Sequence, residues 1–135
     1  MFGSPRNPTA AYASVSLETS VASADPHKLI LLLFQGAEAA ISSAKLHISF
    51  GNIPEKGRAI SQAIDIITNG LKASLDFEAG GDLSEKLGAL YDYMAQRLLH
   101  ANLKSDPAAL DEVLGLLNEL HGAWAQIAPG AQPAP

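Results

Sequence analysis

The chain has 135 residues, one domain's length, enough to bury roughly two-thirds of the surface its unfolded form exposes. It contains no cysteine, which excludes disulfides, thiolate zinc sites and thiol nucleophiles. A net charge of −5, with no basic cluster anywhere, argues against nucleic acid and anionic membranes as partners. Only 17% of residues are charged, and the apolar surface this leaves favours an oligomer or a binding module.

Residues 1–24 are small, polar and proline-containing, with sparse hydrophobes at Phe2, Tyr12, Val15, Leu17 and Val21. They read as a loose N-terminal arm. The opening "MFGSPRNP" lacks the apolar stretch of a secretory signal, so the expected location is the cytoplasm. The longest strictly apolar run, Leu29 to Phe34, is far too short to span a bilayer, so no membrane insertion is expected.

The first helix is predicted to open at Asp25-Pro26, because aspartate is a preferred N-cap and proline suits the first helical position. Ile30, Leu33, Phe34, Ala37, Ile41, Ala44 and Ile48 form its core stripe. Gly51-Asn52 ends it and Pro54 starts the second helix, expected to continue through "AISQAIDIITNGLKASLDF" to Phe77.

On that second helix one apolar stripe contains Ile60, Ala63, Ile64, Ile67, Leu71 and Leu75. Another contains Ala59, Ile66, Gly70, Ala73 and Phe77, centred roughly 110° away. Together they cover roughly 200° of arc, about twice what a surface helix needs. Two readings fit. The helix is wedged between two neighbours of its own bundle, or one stripe serves the core and the other a partner chain.

"AGGD" at 79–82 reads as a loop, with Asp82 capping a third helix and Glu85 reaching back in a capping box. Leu87, Leu90, Tyr91, Met94, Leu98 and Ala101 follow at helical spacing. Asp106-Pro107 opens a fourth helix, whose seam is Leu110, Val113, Leu117, Leu120, Trp124 and Ile127. Short connections make neighbours antiparallel. The expected fold is all-α: an antiparallel up-down four-helix bundle over residues 25–128, with the arm before it and a Pro/Ala-rich disordered tail, 129–135, after it.

Catalytic constellations are missing. His27, His47, His100 and His121 form no pair at the i, i+3 or i, i+4 spacing of a helical metal site. "AGGDLSEK" lacks the spacing and lysine of a phosphate loop. No enzyme, cofactor or metal is expected. In "ALYDYMAQRLLHANL" (89–103), Tyr91 reads as a core tyrosine with its hydroxyl at the rim. Tyr93 and Arg97 share another face at i, i+4, and both residue types are enriched at interface centres.

The stretches "YASVSLETSVASADPHKLILLLFQGAEAAI" and "GNIPEKGRAISQAIDIITNGLKASLDFEAGGDLSEKLGALYDYMAQRLLHANLKSDPAALDEVLGLLNELHGAWAQI" resemble the flagellar export chaperone family FliS. The marks are an aromatic arm before an [S/D]-P-x-x-L-I helix, an Ala/Ile-rich second helix, "LYDYM..RL..AN" and a terminal Trp. Thr9 stands where the family commonly has the first of two arm tyrosines, and Phe34-Gln35 replaces the commoner Tyr-Asp. The resemblance implies a cytoplasmic bundle that binds the disordered C-terminal segment of flagellin, prevents its premature polymerisation and assists its delivery to the type III export apparatus. It also implies export-gate components as further partners, and an arm whose Tyr12 covers part of the flagellin site. Combined with the stripe analysis, the expected partner contacts are Tyr12, Ile66, Gly70, Ala73, Phe77, Tyr93 and Arg97. The expected state is a monomer or weak homodimer. The competing reading is a self-associating structural or regulatory bundle that uses the second stripe on its own copies.

Overall fold

The Asp25 carboxylate accepts from the Lys28 amide at 2.8 Å, and Pro26 takes the first helical position. Helix α1, Pro26–Ser49, follows from this cap in the computed structural model, which describes residues 25–127. The predicted arm, with Tyr12, and the predicted tail lie outside the described residues. Gly51 closes α1 at φ 70, in the left-handed region where a glycine carries no Cβ penalty. Asn52 caps the next helix through the Glu55 amide.

Helix α2 spans Ile53–Asp65 and continues through a π-helical segment, Ile66–Leu71, and one 3-10 turn, Lys72–Ser74. The wider turn, with the Lys72 amide bonded to the Ile67 carbonyl, sets Ile66 beside Gly36 and Gly70 beside Leu33. The expected continuous helix to Phe77 is corrected here. The chain turns extended at Leu75 (φ −71, ψ 140), and helix α3, Phe77–Lys104, begins there. The reason is a competition between caps. Both Asp76 and Asp82 are suited to start a helix, and Asp76 takes the role, accepting from the Glu78 and Ala79 amides at 3.1 and 3.0 Å. The anticipated 79–82 loop becomes the end of a first helical turn and a kink at Gly81 (φ 53, ψ −129).

Ser105, at φ 48, ends α3 in a left-handed conformation, which costs a non-glycine residue stability unless its surroundings hold it. The holding group is Lys56, 3% exposed. Its Nζ donates to the Asn102 carbonyl and to Ser105 Oγ, each at 2.8 Å. A buried ammonium on the C-terminal carbonyls of a helix satisfies orphan acceptors and complements the helix dipole. Lys56→Met is therefore expected to cost about 2 kcal/mol, read as a lowered urea midpoint. An unchanged midpoint would show that solvent caps α3 equally well.

Helix α4, Pro107–Ala125, starts from Asp106, whose carboxylate accepts from the Ala108 amide. The helices pack as a ring: α1 against α2 and α4, and α3 against α2 and α4. Pairs at both ends fix the antiparallel sense. On the α1–α4 side, Lys45 pairs with Asp111, His121 Nδ1 lies 3.0 Å from the Glu38 carboxylate, and His27 meets Trp124. On the α2–α3 side, Lys56 meets Asn102 and Lys72 meets Asp92. The described residues thus form an all-α, antiparallel up-down four-helix bundle without strands. Its centre is built from Ile41, Ile60, Ile67, Met94, Leu98, Leu110, Val113 and Leu117, all fully enclosed. The first stripe of α2 faces this centre through Ile60, Ala63, Ile67 and Leu71.

Helix α1 is long and apolar enough to cross a membrane by length and composition, with mean hydropathy 1.4 over its most apolar 18 residues. In the bundle it lies between α2 and α4.

Candidate functional site

An up-down ring brings alternate helix termini to each end. The start of α1, the end of α2, the start of α3 and the end of α4 therefore meet at one pole. There the packing among the described residues is incomplete. A cavity of about 770 Å³ opens between Ile30 and Phe34 of α1, Leu71 and Leu75 at the end of α2, Leu83, Leu87 and Tyr91 of α3, and Leu120, Trp124 and Ile127 at the end of α4. That volume is in the range of ligand-holding clefts.

His27, Trp124, Ser74 and Ser84 in its wall direct their polar side-chain groups to the protein's own backbone. His27 and Trp124 stack with centroids 5.3 Å apart. The Trp124 Nε1–H donates to the His27 carbonyl and the His27 Nε2–H to the Trp124 carbonyl, both at 2.9 Å. Ser84 donates to the Asp76 carbonyl at 2.9 Å and Ser74 to the Gly70 carbonyl at 2.6 Å. Burial pushes the Tyr91 phenol up to about 12, so it stays neutral at physiological pH. The cavity offers carbon surface and no converging donors. An occupant has to satisfy its own backbone hydrogen bonds, since a buried unpaired amide or carbonyl is costly and the described residues hold no sheet edge to pair it. A helix does this; an extended strand does not. Among the described residues no group of His, Cys, Asp or Glu could hold a metal ion.

The residues expected from sequence fall in different places. Ile66 is half-buried between α2 and α1, where a Cβ on Gly36 would stand 3.3 Å from its Cδ1. Gly70 is half-buried, and a Cβ there would meet Leu33 at 3.0 Å. Ala73 is exposed. Phe77 is 49% exposed and sits at the first position of α3, its ring against Gly88. Tyr93 and Arg97 lie on the α3–α4 face and converge on one carboxylate: Tyr93 O–H donates to Glu112, and Arg97 Nε donates to Glu112 at 2.8 Å. Gly70, Ala73 and Phe77 each stand next in the chain to a residue of the cavity wall, Leu71, Ser74 and Asp76 respectively. The cavity residues Leu83, Trp124 and Ile127 were not singled out as contacts. Their signal was the apolar content of four helix ends that an up-down topology must bring together.

The hydrogen bond from Tyr93, then that from Arg97, holds the Glu112 carboxyl below its ordinary value. A carboxylate with a depressed folded pKa contributes stability above its unfolded value and loses it as pH falls through the folded one. The triad is solvent-facing, so the effect is small. Glu112→Gln should flatten the acid side of the stability–pH curve below about pH 4.3, the ordinary glutamate range, while leaving pH 7 stability close to wild type. An unchanged acid limb would show that the triad is not coupled to folding.

Comparison with known proteins places this architecture. Residues 8–131 match the family described as Flagellar protein FliS. The flagellar secretion chaperone FliS of Salmonella typhimurium is 53% identical over 121 residues, covering 90% of each chain. The Vibrio cholerae chaperone of the same name is 40% identical, covering 88% of this chain and 87% of its own. Flagellar secretion chaperone FliSB of Pseudomonas aeruginosa is 45% identical, covering 84% and 89%. The match over residues 8–131 and these relatives show that the chain belongs to the flagellar protein FliS family, whose Salmonella, Vibrio and Pseudomonas members are named flagellar secretion chaperones.

Proposed function

We propose that this chain is a cytoplasmic chaperone that holds the disordered C-terminal segment of flagellin, blocks its premature polymerisation and hands it to the flagellar export apparatus. The observation that carries the reading is the open, carbon-lined cavity at the pole of the bundle. Its walls demand an amphipathic helix, and a disordered segment that folds on binding supplies one. Binding gains apolar burial and loses chain entropy, which suits a cargo that has to be released again at the export gate.

The contacts assigned from sequence enter this reading unequally. Phe77 and Ala73 lie next to the cavity wall and are exposed. Tyr93 and Arg97 would serve a partner that continues along the α3–α4 face. Ile66 and Gly70 act through α1, as neighbours of Leu33 and Gly36.

Trp124 is the chain's sole tryptophan and lines the cavity, so its fluorescence reports occupancy. A tryptophan-free peptide of the flagellin C-terminal segment should shift Trp124 emission saturably and form a one-to-one complex by light scattering. Leu83, 39% exposed at the cavity, tests the site. Leu83→Asp should weaken peptide binding at least about tenfold through loss of an apolar anchor, with helix content unchanged. A wild-type chain that ignores the peptide and self-associates instead would favour the scaffold reading.

A further inference from the structure

Residues 75–80 lie between two breaks in the helical path. Before them the chain is extended at Leu75. After them Gly81 takes φ 53, ψ −129, a conformation open to glycine and rare for other residues. The turn between is closed on itself, with the Gly80 amide donating to the Asp76 carbonyl at 2.7 Å and the Asp76 carboxylate taking the Glu78 and Ala79 amides.

Among the described residues its ties to the rest of the bundle are few. None of the six residues is buried. One side-chain hydrogen bond joins the turn to the body of α3, from Ser84 to the Asp76 carbonyl. Beyond that, the Phe77 ring and Leu75 rest in a notch left by Gly88, where an added Cβ would stand 3.3 Å from Phe77 Cζ and 3.7 Å from Leu75 Cδ1. Gly80 lets the turn fold this close, since a Cβ there would collide with Ser84 Oγ at 1.8 Å. Leu75, Asp76, Ala79 and Gly80 together form one wall of the cavity. A segment with few buried contacts, a glycine pivot and its own internal hydrogen bonds opens at a fraction of the free energy that unfolds the bundle.

We propose that residues 75–80 are a hinged wall of the cavity, pivoting at Gly81 and latched by Phe77 in the Gly88 notch, whose opening admits the partner's helix. The admission step rests on the chaperone reading above; the hinge itself does not. Opening exchanges the Ser84 hydrogen bond, the Phe77 contact on Gly88 and the packing of Leu75 at the edge of the core for solvent, and leaves the fully enclosed residues in place. Phe77 is then a latch, which accounts for its seat on Gly88 together with its half exposure.

Two variants of the full chain release the latch by different routes. Phe77→Ala removes the ring. Gly88→Ala fills the notch and also replaces a mid-helix glycine with the strongest helix former. In hydrogen exchange both should speed the Glu78, Ala79 and Gly80 amides about tenfold. The amides from Leu90 to Leu98 should stay at wild-type rates with Phe77→Ala, and exchange at the same rate or more slowly with Gly88→Ala. Acceleration spread evenly along α3, or none at 78–80, would overturn the hinge. In stopped-flow mixing with the labelled flagellin C-terminal peptide, both variants should associate several-fold faster than wild type. An equal or slower rate, with the wild-type chain binding, would overturn the gate. A wild-type chain that does not bind the peptide defeats the chaperone reading and with it the admission step, while the exchange result still decides the hinge.

Discussion

Trp124→Ala is expected to destabilise the bundle by about 3 kcal/mol, near the lower end of the range for removing a packed tryptophan, because the ring is only half-buried. Three losses add. The indole leaves the stack on His27, its Nε1–H no longer reaches the His27 carbonyl, and a wall of the cavity disappears. The His27 ring keeps its own acceptor, because the Trp124 carbonyl belongs to the backbone. No buried donor is orphaned, and the loss stays short of the extreme. Trp124→Phe separates packing from hydrogen bonding: it keeps an aromatic face and gives up one donor, for about 1 kcal/mol. Urea unfolding followed by circular dichroism reads both. If alanine costs no more than phenylalanine, stacking contributes nothing and the α1–α4 end is held by the hydrogen bond and by Phe34 on His121, whose rings stack at 5.6 Å.

The second large effect separates two residues that share one stripe in the sequence. Ile66→Asp places a carboxylate in the α1–α2 contact, beside Gly36. Ile66 is half-buried and packed against the core, so the charge has to lose part of its water or the helices have to part, at about 3 kcal/mol or more. Circular dichroism should show a lowered unfolding midpoint and, near physiological temperature, lost helix. Phe77→Asp makes the same chemical change where the side chain is half exposed and the helix is only beginning. An acid in the first turn of a helix is favoured by the dipole, so the bundle should persist, and the change should show in peptide binding and in exchange at residues 78–80. Equal stability of the two variants would mean that Ile66 faces solvent in solution and that α2 packs differently on α1.

That contrast shows what periodicity can and cannot tell. Both residues fall on one stripe only if α2 runs unbroken to Phe77. The π-helical turn from Ile66 and the extended Leu75 break the phase, and neither has a local signature that competes with a clean 3.6-residue repeat. The cap exchange has the same character: Asp76 and Asp82 carry the same chemistry, and the choice between them depends on whether the first turn can fold back onto Ser84 and Gly88. The Tyr93–Arg97 pairing at i, i+4 was legible, but the carboxylate they share comes from α4, which no spacing within α3 reveals.

Four helices, two Asp-Pro starts and the enclosed stripe from Ile60 to Leu71 were legible in the chain alone. These follow from local capping and from burial of one face at a time, and both are written in a few consecutive residues. Where the described helices leave space was settled by their packing. The cavity arises because four helix termini, distant in the chain, arrive at one pole with too little side chain among the described residues to fill it. The sum of volumes across such a junction depends on helix register and crossing rather than on any single segment, so the space beside Trp124 and the movable turn that walls it appear only once the helices are packed.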